Sequence, residues 1–170
     1  NMHHLGLFMN ETYSGRLSED KVQEIRARWP GKLVLKGIVT QEDAEKAVRL
    51  GADGIIVSNH GGRQLDCGPA TIDSLDALPA SLRERITVMM DSGIRSGADV
   101  ANALATGARF CFLGRSFMYG VSALGDRGGE HRVKDPRVLI AIKDADGARA
   151  LAAAVSELSV GAALTAVCPW

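Results

Sequence analysis

The chain has 170 residues, 46% hydrophobic and 24% charged, with 20 Lys and Arg against 20 Asp and Glu for a net charge of zero. That length supports one domain with its own core, and the missing basic excess argues against nucleic acid or an anionic membrane as partner. No apolar run approaches the roughly 20 residues that cross a bilayer, and the start, NMHHLGLFMNE, lacks the basic head and long apolar middle of a secretory leader, so a cytoplasmic location is expected, with peripheral membrane association left open.

Along the chain one rhythm repeats. His3 and His4 have no further ligand residues nearby and read as incidental. A helix is expected over 18–28, ahead of the turn WPGK. Leu33–Lys36 (LVLK) is the first continuous apolar run. Then TQEDAEKAVRLGAD places Ala44, Ala47 and Val48 at i, i+3, i+4, with Thr40 and Asp43 as a start signal. Gly54–Ser58 (GIIVS) is the second run, followed by a helix over 71–78. Ile86–Asp91 (ITVMMD) is the third. In SGADVANALATGAR, Val100, Ala103 and Leu104 repeat the helical spacing after Ser96 and Asp99. Phe110–Gly114 (FCFLG) is the fourth run. Both patterned helices stop at Gly-Ala pairs, Gly51-Ala52 and Gly107-Ala108, where glycine can take the left-handed conformation. Each run reads as a strand buried on both faces. Cys67, Cys111 and Cys168 are odd in number and contain no CxxC, which suits a reducing compartment and argues against a disulfide framework or a zinc site.

Alternating strands and helices imply a parallel sheet with right-handed crossovers. Every strand runs out into polar or glycine-rich residues: Lys36-Gly37, Ser58 to Arg63, Asp91 to Arg95, and Gly114-Arg115. Functional residues at the carboxyl ends of successive strands are the habit of (β/α)8 barrels, and the G-x-G-x-x-G of a Rossmann sheet is absent. Four strands are half of the eight such a barrel needs. The expected fold is therefore α/β, half a TIM barrel.

The strand ends carry the chemistry. DSGIRSG and LGRS each combine glycine, arginine and a helix start, so Gly93, Arg95, Gly114 and Arg115 read as a phosphate grip; ordinary turns with surface arginines are the bland alternative. SNHGGRQLD puts His60 three residues before Arg63. Histidine exchanges protons near neutral pH, and arginine holds a carboxylate with two parallel bonds, so a base beside a carboxylate clamp is one reading and a solvated loop the other. Lys36 either faces a bound anion or snorkels. Asp91 either holds sugar-like hydroxyls or caps the next helix.

The blocks LVLKGI, GADGIIVSNHGGRQLD, DSGIRSGADV and GARFCFLGR resemble the C-terminal half of the FMN-dependent L-2-hydroxy acid dehydrogenases and oxidases, the family of glycolate oxidase, L-lactate dehydrogenase and mandelate dehydrogenase. The resemblance covers roughly residues 18–130. It implies an oxidoreductase with FMN at the mouth of a TIM (β/α)8 barrel, these strands being the fifth to eighth, and oxidation of a small L-2-hydroxy acid to a 2-oxo acid. By the same resemblance His60 is the catalytic base and Arg63 binds the substrate carboxylate. Lys36 and Ser58 contact the flavin, and Asp91, Gly93, Arg95, Gly114 and Arg115 hold the ribityl chain and phosphate. The family's first four strands are not among these residues, so the chain is expected to be a fragment, acting as a homo-oligomer or paired with the missing half-barrel. The alternative is a non-catalytic half-barrel that binds phosphate or flavin. Residues 1–130 are expected to form the half-barrel and residues 131–170 a divergent helical tail.

Overall fold

The computed structural model describes residues 17–63, 65–125, 127 and 128. The tail expected over 131–170, His3, His4 and Cys168 lie outside the described residues. The chain divides into two units, Asn1–Gly31 and Lys32–Trp170.

In the first unit, helix α1 (Glu19–Arg28) starts at Ser18, whose hydroxyl accepts the Lys21 N–H at 3.4 Å. Glu19 and Asp20 occupy its first turn and Arg26 and Arg28 its last, each sign matched to the helix dipole. The helix closes at Trp29, ahead of Pro30, which disfavours helical backbone in the residue before it.

The second unit runs β1 (Val34–Ile38), α2 (Gln41–Arg49), β2 (Gly54–Val57), α3 (Thr71–Asp76), α4 (Ala80–Arg85), β3 (Thr87–Met90), α5 (Gly97–Ala105), β4 (Phe110–Cys111) and α6 (Arg115–Leu124). The four strands form one parallel sheet in the order β1-β2-β3-β4. The expected stops hold: Gly51 and Gly107 have φ of 75° and 111°. The expected starts hold too. Thr40 accepts the Asp43 N–H at 3.2 Å, and Ser96 with Asp99 forms a reciprocal capping box. One helix is shorter than expected, and a further helix follows it. The segment expected over 71–78 ends at Asp76, and α4 begins after Pro79, whose missing N–H is no loss at a helix start.

The two faces of the sheet differ. Paired residues form rows across the strands, and successive rows point to opposite faces. The rows Leu35–Ile55–Val88 and Ile38–Val57–Met90–Cys111 lie on the face covered by helices. Ile55, Val57, Val88, Met90 and Cys111 are at most 4% exposed there, packed in one core with Leu75, Leu82 and Val100. The row between them, Lys36–Ile56–Met89–Phe110, lies on the other face, and none of its members is fully buried. The expectation of strands buried on both faces is thus corrected. Among the described residues of the second unit one face of the sheet has no covering layer, and β1 and β4 each have a strand on one side only. Val34 on β1 is 40% exposed for this reason.

Candidate functional site

The carboxyl ends of the four strands open on the same edge of the sheet because the strands are parallel. One cleft there, of about 250 Å3, is lined by His60, Gly61, Arg63, Asp91, Ser92, Gly93, Arg95, Gly114 and Arg115, with Ile94, Phe112, Leu113 and Met118 as its apolar part. Seven of the nine residues singled out from the sequence therefore line one cavity. The other two, Lys36 and Ser58, adjoin it through Asp91.

Lys36 extends its ammonium from β1 across β2 to the end of β3. It pairs with Asp91 Oδ2 at 2.7 Å and donates to Ser58 Oγ at 3.0 Å. Partial burial by itself would raise the Asp91 carboxyl. The hydrogen bonds from Lys36, Ser58 and Ser92 and the lysine charge outweigh that and hold it below the usual aspartate value. Of the two readings of Asp91 made from the sequence, capping of the next helix is not what the geometry shows. Asp99 holds that start instead, accepting the backbone N–H groups of Arg95 and Ser96 at 2.9 and 2.8 Å. The Arg95 bond is the largest cause of a lowered Asp99 carboxyl, partly offset by burial.

After β2 the chain winds left-handed. His60, Gly61 and Gly62 have φ of 55°, 68° and 71°. Glycine enters this region freely, and histidine is among the few other residues enriched there. The Gly61 peptide is gripped at both ends. Its N–H donates to Asn59 Oδ1 and to Ser92 Oγ, both at 2.9 Å, and its carbonyl accepts from Arg115 Nη2 at 3.0 Å. A Cβ on Gly61 would lie 2.5 Å from that guanidinium nitrogen. The His60 N–H donates to Ser58 Oγ at 3.1 Å, so Ser58, 2% exposed, ties Lys36 to the histidine loop.

Ser92 was not among the residues singled out from the sequence. It is itself left-handed, with φ 72°, and its hydroxyl donates to Asp91 Oδ1 at 2.8 Å. Its position in D-S-G marks a turn, but its partner Gly61 is 31 residues away, which no local pattern announces.

The donor set suits an anion carried on a polar tail. Arg95 and Arg115 supply guanidinium groups, and a Cβ on Gly93 or Gly114 would meet nothing within 4 Å, so backbone at both loops borders open space. No cluster of His, Cys, Asp and Glu able to hold a metal ion occurs among the described residues.

The cleft at the carboxyl ends of the parallel strands gathers His60, Arg63, Arg95 and Arg115 from three successive loops of an α/β fold. Residues 1–135 match the family model described as FMN-dependent dehydrogenase, and the chain belongs to that family. It is 47% identical over 110 residues to an L-lactate dehydrogenase of Bartonella tribocorum, covering 65% of this chain and 29% of the relative. It is similar to the crystal structure of a mandelate oxidase with benzoyl-formic acid, at 43% identity and TM-score 0.65, over 68% of this chain and 34% of that one. It also resembles a soluble mutant of the membrane-associated (S)-mandelate dehydrogenase of Pseudomonas putida, at 41% identity and TM-score 0.63, over 67% and 32% of the two chains. The chain thus spans about a third of the length of these relatives.

Proposed function

We propose that this chain contributes the C-terminal half of a (β/α)8 barrel, β1 to β4 standing as its fifth to eighth strands, to an FMN-dependent oxidation of an L-2-hydroxy acid of the lactate, glycolate or mandelate class. One observation carries the reading: His60 and Arg63 from the β2 loop line the same cleft as Arg95 and Arg115 from the next two. The uncovered sheet face supports the half-barrel, since a closed barrel turns that face inward and fills it with side chains. Four further strands would then come from a preceding segment or from a partner. Residues 1–130 would form the half-barrel and 131–170 a separate tail.

In this reading Arg63 holds the substrate carboxylate through two parallel hydrogen bonds. His60 removes one proton from the substrate as general base. Lys36, anchored by Asp91 and Ser58, sets a positive charge at the rim beside the flavin and favours its reduced, anionic form. Asp91 accepts hydrogen bonds from the ribityl chain. Gly93, Arg95, Gly114 and Arg115 enclose the phosphate. FMN, when bound, takes up the two electrons that leave the hydroxy acid.

A second reading is a non-catalytic half-barrel that holds flavin or phosphate. It is favoured by the surroundings of His60, whose hydrogen bond is made by its backbone, while no carboxylate of the described residues holds its imidazole. A base without an orienting partner keeps no fixed tautomer and loses rate. The absorption spectrum of the purified protein separates the two. Flavin bands that bleach anaerobically with L-lactate, glycolate or mandelate, and fail to bleach in H60Q, support the oxidation. Flavin that stays oxidised supports the second reading, and a protein that takes up no FMN counts against both. Among the described residues no helix is long and apolar enough to cross a membrane.

A further inference from the structure

We infer that Ser92 is a positioning residue for the histidine loop, its hydroxyl clamping the Gly61 peptide onto the Asp91–Lys36 pair. The inference rests on the role proposed for His60 and adds a residue that carries no assignment of its own. The Ser92 hydroxyl has one hydrogen, and it points to Asp91 Oδ1 at 2.8 Å. Its lone pairs are thereby left to accept the Gly61 N–H at 2.9 Å. A hydroxyl that donates to a charged carboxylate is a stronger acceptor at its other side. Asp91 is in turn fixed by Lys36 at 2.7 Å. One chain of contacts therefore runs from β1 through the end of β3 to the residue after His60, across three strands. Asn59 Oδ1 shares the Gly61 N–H, but Asn59 belongs to the same loop and moves with it. Ser92 is the acceptor that ties the loop to a different strand.

Backbone conformation gives the same answer. Serine at φ 72° is strained, and glycine would adopt that conformation freely. A turn needing only shape would be better served by glycine, so serine here is explained by what its oxygen does. Arg115, on the Gly61 carbonyl at 3.0 Å, holds the opposite pole of the peptide. With both poles held, the loop can neither rotate nor lift, and the residue preceding Gly61 keeps its place over the cleft.

The test is S92G, which relieves the strained φ and removes the hydroxyl together with its Cβ. Amide-proton exchange is read by NMR at Gly61 and, as an internal reference, at Ile55 in β2. The expected result is roughly fivefold faster exchange at Gly61, the loss of one ordinary hydrogen bond, with Ile55 unchanged. Unchanged exchange at Gly61 overturns the inference, and so does equal acceleration at both amides, which would mean global loosening. This readout needs no flavin, so it stands or falls separately from the proposed oxidation. Where turnover is measured, S92G should lower kcat and leave KM, because Arg63 is untouched; a change in KM alone would assign Ser92 to substrate binding instead and overturn the positioning role.

Discussion

Asp91 is the residue on which the charge balance of the cleft turns. Its folded-state carboxyl sits below the ordinary aspartate value, so it binds a proton less readily folded than unfolded. The resulting stabilisation is fully present above about pH 4 and is lost as pH falls through the folded value. Asp91→Asn should therefore cost about 1 kcal/mol near neutrality, modest because the Lys36 side chain is 48% exposed, and urea midpoints of the two proteins should converge below pH 4. A gap that persists in acid would mean that the pair does not act through charge. Also lining the cleft, Arg63 is proposed to hold the substrate carboxylate, and Arg63→Lys keeps the charge while denying it a forked contact. In whatever assembly turns over, it should raise KM about tenfold with a smaller effect on kcat. Steady-state kinetics with L-lactate check this, and an unchanged KM would take the carboxylate away from Arg63. Most of these residues stood out in the sequence because arginine, histidine and glycine clustered after apolar runs. Ser92 did not, since its role depends on Gly61 meeting it across the sheet.

At the scale of elements, local signals worked where the cause was local. The Ser96–Asp99 capping box and the glycine stops at Gly51 and Gly107 depend on neighbours within a few residues, and they lie where the pattern placed them. α4 escaped because ASLRER is short and strongly charged, and it is helical by virtue of packing Leu82 into the core. The burial of β1 escaped for a different reason. LVLK has the same apolar density as a central strand, and Val34 is exposed because it sits on the edge strand and shares the open face with Lys36. The turn after β2 yields a further expectation. Gly61→Ala forces a side chain into left-handed backbone and pushes its Cβ against Arg115. It should cost about 1–2 kcal/mol in thermal or urea unfolding and free Arg115 from the Gly61 carbonyl. A neutral G61A would show that the left-handed winding is not required.

For the whole molecule, the parallel order and the helix-covered core were legible as a strand–helix alternation, whereas the asymmetry between the two faces was not. Sequence periodicity reports that a strand is apolar; it does not report whether anything covers it. Among the described residues, a four-stranded parallel sheet with one open edge on β1 and one on β4 invites further pairing. The isolated chain should associate with rising concentration in sedimentation velocity, and Val34→Lys at the β1 edge should weaken that association. A wild-type chain that stays monomeric throughout would argue that its edges are already protected.

The row Lys36–Ile56–Met89–Phe110 carries one more consequence. Three of its four members are large and apolar, and they stand on the side of the sheet that no described helix of the second unit covers. A fluorescent dye that lights up on greasy surfaces should glow on the lone chain and, under the half-barrel proposal, dim when the four further strands are supplied, so the bare row would double as an optical gauge of barrel closure.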